Sequence, residues 1–399
     1  MSIVNAIEAL KKGKAVILVD DEDRENEGDL VVAAQNVTPE AIHFMTQHGR
    51  GLVCLSLASE ICDRLNLSPM AVKNESRFGT AFTVSIEAKT GVTTGVSAFD
   101  RARTIQVAAD PQSRPSDLVS PGHVFPLCAQ NWGVFIRRGQ TEGSVDLARL
   151  AGLEPAAVIC EILKEDGHMA RLPELKALSE KFDLPLIHIQ EIVTYRMKHE
   201  CLVQEVASAQ FPTQGYGDFK ILGFQCLFDG SEYLVLVKGQ IESSEEVPLV
   251  RIHSECITGD TLYSARCDCG LQLEKTLELL SKSKIGVLIY LKNQEGRGIG
   301  LLNKIRAYEL QDRGLDTVEA NEQLGFKPDL RHYGIAAQIL KALKMNTVKL
   351  LTNNPQKVSH LCELGVHVQE RISLELASIP TNRIYLKTKK KKLGHFLSV

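Results

Sequence analysis

The chain has 399 residues, 44% of them hydrophobic and 24% charged, with a net charge of −3. That length suggests two or three domains, each able to bury a core. The slightly acidic balance argues against a protein that coats nucleic acid, which needs an excess of Lys and Arg to displace counterions. The first residues lack the apolar core and cleavage site of a signal peptide, and no run of about 18 apolar residues occurs. Ten cysteines without an export signal read as reduced thiols or metal ligands rather than disulfides. A cytoplasmic globular protein is therefore expected, with no membrane or nucleic-acid partner.

In chain order, Ile3 to Lys14 has helical periodicity and stops at Gly13. "AVILVD" then predicts a buried strand, followed by "DDEDRENEGD" (Asp20 to Asp29), in which seven of ten residues are acidic. "TPEAIHFMTQHG" opens with a Thr cap and Pro at the first helical position, and "GLVCLSL" predicts a second strand. "GSVDLARLAGLEPAAVICEILKEDG" reads as two helical stretches or as a helix followed by a strand, and "LPELKALSEKFDLP" as a helix. A weakly patterned segment, Met197 to Gly217, places a boundary near residue 200. Beyond it, "ILGFQCLF" and "EYLVLVKG" flank the turn "DGS" as a hairpin. "IGVLIYL" is a buried strand leading into "KNQEGRGIG" and the helical "LLNKIRAYELQDRG". There is no internal repeat, so residues 1–199 and 200–399 are expected to be two different domains of mixed α and β structure. The tail "KTKKKKLGHF" reads as a mobile basic end, with a phosphate or nucleic-acid contact as the alternative.

The most specific pattern is "RIHSECITGDTLYSARCDCG", where Cys256, Cys267 and Cys269 are spaced C-x10-C-x-C. Three soft thiolates can converge on zinc if the segment between them turns back. No second His or CxxC pair closes the set, and three ligands with an open position suit a metal that activates water. The alternative is three buried structural thiols. In "QEGRGIG", a Gly-rich turn between strand and helix can offer backbone N–H groups to phosphate, with Arg297 as a charged donor. "LLTNNPQKV" adds a Thr and a Lys after another apolar strand.

These strings, with "QEGRGIGLLNKIRAYELQDRGLDTVEAN" and "LGFKPDLRHYGIAAQIL", resemble GTP cyclohydrolase II from about Met197 to the C-terminus. The resemblance implies zinc on Cys256, Cys267 and Cys269. It also implies GTP contacts from Arg251, Ile252, His253, Ser254, Glu255, Gln272, Glu295, Gly296, Arg297, Thr317, Thr352 and Lys357. It places a proton acceptor at Asp329, a nucleophile at Arg331 and a tyrosine at Tyr308. A guanidinium that stays protonated suits phosphoryl-charge stabilisation better than nucleophilic attack. The implied reaction removes C8 of GTP as formate and releases pyrophosphate, the latter calling for Mg²⁺. "YLKNQEGR" carries one residue more than the family's "YLRQEGR".

The first half resembles 3,4-dihydroxy-2-butanone 4-phosphate synthase. The strings that carry this are "DDEDRENEGDL", "TAFTVSIEAKTGVTTGVSAFDRARTI", "PGHVFPL", "TEGSVDLARLAGLEPAAVICEIL" and "MARLPEL". This family rearranges ribulose 5-phosphate and expels one carbon as formate. It implies Mg²⁺ or Mn²⁺ at Glu25, substrate contacts from Arg24, Glu25, Asp29 and Glu161, and essential groups at His123 and Glu161. The sugar phosphate falls on Arg137, Arg138, Gly139, Gln140 and Thr141. The family has a metal-binding His where Gln140 stands and an Arg where Ser120 precedes Pro121. An amide oxygen can ligate Mg²⁺ but cannot transfer a proton near neutral pH. Two readings follow: a homodimeric bifunctional enzyme of riboflavin biosynthesis, or a cyclohydrolase II whose first domain is impaired by Gln140.

Overall fold

A computed structural model describes residues 2–241, 246–331 and 333–398. The chain divides into two compact units, Met1–Arg196 and Met197–Val399. Each is built on a seven-stranded sheet.

The first unit contains β1 (Val16–Val19), β2 (Gly28–Ala33), β3 (Cys54–Leu57), β4 (Ile86–Ala88), β5 (Leu118–Cys128), β6 (Ala156–Glu161) and β7 (Leu186–His188), in the spatial order β4-β5-β3-β6-β2-β1-β7. Alternate residues of β1 and β2 enter two separate cores. Ile17, Val19, Leu30 and Val32 pack with Ala102 and Ile105 of the helix Ala98–Ala109. Val16, Leu18 and Val31 pack with Leu10 of the helix Ile3–Lys11 and Leu147 of the helix Gln140–Leu150. Helices thus cover both faces, which is why these strands are apolar throughout rather than alternating. The ambiguous stretch after Gly143 resolves as a helix followed by a strand. Thr38 caps its helix as expected, accepting from Ala41 N at 3.3 Å, and the helix ends in a wider turn over Met45–Gly49. The acidic run is a turn only up to Glu27, since Gly28 and Asp29 already belong to β2.

The second unit contains β8 (Val203–Thr213), β9 (Gly217–Cys226), β10 (Glu232–Lys238), β11 (Leu249–Ser254), β12 (Gly286–Leu291), β13 (Thr347–Leu351) and β14 (His367–Ile372). Their spatial order is β14-β13-β11-β12-β10-β9-β8. The hairpin around Asp229 forms as expected, with Glu232 opposite Gln225. β11 runs parallel to both β12 and β13, so their carboxyl ends lie side by side at one end of the strands. In open sheets with parallel strands that is where ligands bind.

Two expectations are corrected. The weakly patterned segment before Gly217 contains β8, an eleven-residue edge strand whose residues after Val203 are almost all exposed and so show no burial alternation. The basic tail is not a mobile end: Arg383–Leu393 forms a helix with Leu386 buried, and Lys392 pairs with Asp316 at 2.5 Å and Glu319 at 2.9 Å. Among the described residues, no helix is long and apolar enough to cross a membrane.

Candidate functional site

In the first unit, the antiparallel pairing of β2 and β6 sets Asp29 opposite Glu161. Burial pushes the Asp29 carboxyl well up, and the charges of Glu161, Glu25, Glu27 and Asp20 push it further. Glu161 is raised chiefly by burial, although its Oε2 accepts from Leu52 N at 2.8 Å. Carboxylates packed this closely, with their ionised forms disfavoured, are what a hard divalent cation relieves. Arg24 lies among oxygens of the acidic loop. Its guanidinium donates to Asp20 Oδ2 at 2.8 Å and to Gln140 Oε1 at 3.0 Å, and lies 3.1 Å from Glu25 Oε1. Glu25 and Gln140 therefore face one common cationic group, and the donor set fits Mg²⁺. Gln140 opens the helix Gln140–Leu150 after Gly139, and its buried Nε2 has no hydrogen-bond partner among the described residues.

Arg137 donates to Glu142 Oε2 at 2.6 Å and to Phe78 O at 3.1 Å, and Arg138 to Gln190 Oε1 at 2.9 Å. Thr141 is buried in the first turn of the same helix. His123 does not join this cluster by any hydrogen bond. It sits on β5, with Nδ1 2.6 Å from Glu87 Oε2 on β4. At the usual strand spacing, β5 is about 10–14 Å across the sheet from β6 and β2.

In the second unit, β11 delivers Cys256, and the N-terminus of the helix Cys269–Lys282 carries Cys267 and Cys269. The three Sγ atoms lie within 4.8 Å of one another, and among the described residues this is the one group of three His, Cys, Asp or Glu that converges so closely. Hydrogen bonds from the other two thiols, with the charge of Lys304, hold Cys256 down as a thiolate, while its proximity raises Cys267 to about 11. Such a cluster fits a zinc ion. Lys304 Nζ reaches Cys256 Sγ at 3.1 Å and Thr258 Oγ1 at 2.7 Å, and also bonds Glu295. Tyr308 OH meets Thr258 Oγ1 at 3.1 Å. His253 turns away from the thiols: its Nε2 is 3.1 Å from Asp260 Oδ1, and burial lowers its pKa.

The loop after β12 contains the additional residue. Asn293 takes a left-handed φ of 61° and donates its N–H to Glu255 Oε2 at 2.9 Å. Gly296 and Gly298, at φ 60° and 92°, adopt a conformation that side chains resist and turn the chain so that Glu295 and Arg297 point inward. A cleft of about 610 Å³ results, lined by the three cysteines with Ser254, Glu255, Glu295, Gly296, Arg297, Tyr308, Thr317 and Arg331.

An adjoining cavity of about 540 Å³ is lined by Arg251, His253, Gln272, Thr352 and Lys357, and shares Ser254, Cys269, Arg331 and Tyr385 with the cleft. Arg251 donates to Gln272 Oε1 at 2.6 Å, and burial lowers its pKa to about 10. Lys357 Nζ donates to Ile252 O at 2.8 Å. Arg331 forms a two-pronged pair with Asp329 at 2.9 and 2.5 Å. Burial opposes its charge, but Tyr333 and Asp329 outweigh that and keep the guanidinium protonated. Ile252 and Asp329 stand behind the lining rather than in it. Sequence reasoning missed Lys304, Asp260 and Asp268, which serve neighbouring polar groups and show no distinguishing spacing. It gave the run containing Lys389 and His395 a phosphate contact only as the alternative, and it missed Tyr385, which shares a helix face with Lys389 at i, i+4.

Residues 4–195 match the family 3,4-dihydroxy-2-butanone 4-phosphate synthase, and residues 191–373 match GTP cyclohydrolase II. The chain is 55% identical over 396 residues to the riboflavin biosynthesis protein RibBA of Aquifex aeolicus, covering 99% of this chain and 97% of that one. It is 51% identical to the protein of the same name from Bacillus mycoides, covering 100% and 99%. Among solved structures it resembles RibBX, a two-domain 3,4-dihydroxy-2-butanone 4-phosphate synthase from A. baumannii. That match has a TM-score of 0.70 and 37% identity, and covers 94% of this chain and 100% of that one.

Proposed function

The chain belongs to the family of bifunctional riboflavin biosynthesis proteins that join a 3,4-dihydroxy-2-butanone 4-phosphate synthase domain to a GTP cyclohydrolase II domain, and from that premise we propose how its residues divide the work. The synthase occupies residues 1–199 and is a lyase, and the cyclohydrolase occupies 200–399 and is a zinc-dependent hydrolase. The reading in which Gln140 leaves only the cyclohydrolase is not favoured.

Cys256, Cys267 and Cys269 hold zinc, and the observation that carries this is their convergence within 4.8 Å beside Lys304. When bound, zinc in this open thiolate set supplies the Lewis acidity that activates water towards C8 of GTP. The protein's own groups do the rest. Tyr308, hydrogen-bonded to Thr258, holds a phenol in the cleft as a proton donor and acceptor. Glu295 and Ser254 border the space for the purine. Arg331, kept protonated by Asp329, faces both cavities and neutralises phosphoryl charge. Arg251, Lys357 and Thr352 receive the phosphates. The products are 2,5-diamino-6-ribosylamino-4(3H)-pyrimidinone 5′-phosphate, formate and pyrophosphate.

In the synthase, Glu25 and Gln140 would hold Mg²⁺ or Mn²⁺, which would supply a hard Lewis acid for the oxygens of ribulose 5-phosphate. Asp29 and Glu161, with carboxyl groups raised by burial and mutual charge, exchange protons with the sugar. Arg24 contacts the substrate, and Arg137, Arg138 and the start of the helix at Gln140 take its phosphate. His123 is too far across the sheet to reach the same sugar, which favours a homodimer whose sites draw residues from both copies.

The test is to supply the purified protein with GTP and with ribulose 5-phosphate in separate reactions. Both should release formate, and the GTP reaction should also release pyrophosphate. Absence of formate from ribulose 5-phosphate across a range of Mg²⁺ and Mn²⁺ would refute the synthase reading, while a large gain on Gln140→His would locate the lesion.

A further inference from the structure

The match to GTP cyclohydrolase II ends at residue 373, yet the chain beyond it enters the site. The helix Arg383–Leu393 places Tyr385 between the zinc cleft and the adjoining cavity, lining both. Lys389, one turn on, is 9% exposed and lines the second cavity, as do His395 and Leu397. The helix is anchored at several points. Lys389 Nζ donates to Asp268 Oδ1 at 2.8 Å, Lys392 pairs with Glu319 at 2.9 Å, and Phe396 N donates to Asn353 O at 2.9 Å.

Cations converge in this cavity from four separate parts of the chain: Arg251 on β11, Arg331, Lys357, and Lys389 from the tail. Among the described residues no carboxylate lines it, and Asp268 and Asp329 are paired with Lys389 and Arg331. The crowding is visible in His395, whose pKa falls to about 3 through burial and the charges of Lys389, Arg331 and Lys357. Arg251 Nε is buried with no hydrogen-bond partner among the described residues. Asp268 and Asp329 balance Lys389 and Arg331, which leaves Arg251 and Lys357 without a carboxylate partner; burial and the neighbouring cations push the Lys357 ammonium well down, and an anion would relieve that crowding. A polyphosphate has the required charge and many acceptors.

We infer that the C-terminal segment 383–397 is part of the substrate site, with Lys389 and His395 completing a subsite for the terminal phosphates of GTP. This rests on the cyclohydrolase reading above. GTP would reach from the thiolate cleft, past Tyr385 and Arg331, into the cationic cavity. A family member cut at residue 373 would lack one wall of that subsite.

The experiment measures binding by calorimetry to the full chain, with inorganic tripolyphosphate, GTP and GMP as probes. Lys389→Met should weaken tripolyphosphate and GTP at least about tenfold, since a buried charge-assisted bond is lost, while GMP changes less than about twofold. Lys389→Arg should recover most of the loss. His395→Gln, which leaves the Lys389–Asp268 pair intact, should weaken tripolyphosphate and spare GMP. The exposed neighbours Lys387→Ala and Lys391→Ala should change neither. Equal losses for GTP and GMP, which a purely structural effect through Asp268 would produce, overturn the inference. So does tripolyphosphate binding that none of these variants weakens, or none to the unaltered protein. Tripolyphosphate binding without formate release from GTP would instead refute the cyclohydrolase reading and support the anion subsite.

Discussion

At the scale of single residues, the chemistry-bearing side chains were legible because their types are unusual and their spacing short. Three cysteines within fourteen positions announce a thiolate cluster, and the fold brings them together. Cys267→Ser should abolish bound zinc and formate release from GTP together, measured by metal analysis and a formate assay. Full activity without zinc would refute the assignment. Lys304 was not legible: a lysine in the first turn of an amphipathic helix ordinarily faces water, and only the folded chain shows it buried against Cys256 and Glu295. Groups that orient and neutralise ligands typically contribute ten- to a hundredfold to metal affinity. Lys304→Met should accordingly release zinc to a chelator at least about tenfold more readily, with little loss of helix content.

At the scale of elements, buried strands were easy to find and exposed ones were not. β1 and β12 are continuous apolar runs because both of their faces are covered, whereas β8 is an edge strand with neither burial nor alternation. The tail helix hid for a related reason. Its buried residues, Leu386, Thr388 and Lys389, include a polar one bonded to its own helix at Ile384 O and a charged one whose partner, Asp268, only the fold supplies. The β2–β6 pair carries a prediction about pH. A carboxyl whose pKa is raised on folding binds more protons folded than unfolded. Stability therefore falls as pH rises from the ordinary aspartate range to the raised value. Asp29→Asn should flatten that fall in melting temperature for the metal-free protein and raise its stability at pH 7. It should also cut formate release from ribulose 5-phosphate by roughly a hundredfold or more. An unchanged pH slope would count against the raised carboxyl.

For the whole molecule, the two family matches share only residues 191–195, and the division into units at Arg196 and Met197 falls directly beside that stretch. Neither product feeds the other reaction. Glu25→Gln should lower formate release from ribulose 5-phosphate by about a hundredfold or more while leaving the GTP reaction within about twofold. Cys267→Ser should do the reverse. Loss of both activities in either variant, with the protein still folded, would show that the halves are coupled. What the sequence could not convey was which parts of each half meet. His123 carries a strong motif yet lies strands away from its expected partners, and Lys389 carries none yet stands in the site.

The bonds from Arg24 to Asp20, Glu25 and Gln140 bear on how the synthase loop responds to its surroundings. The loop is not a bare anionic hole awaiting an ion, because a tethered guanidinium already offsets part of its charge. A divalent ion entering the loop would exchange with Arg24, and so compete with a rival cation held at high local concentration. The loop can keep its shape when divalent ions are scarce, so turnover should track the supply of metal while the fold does not.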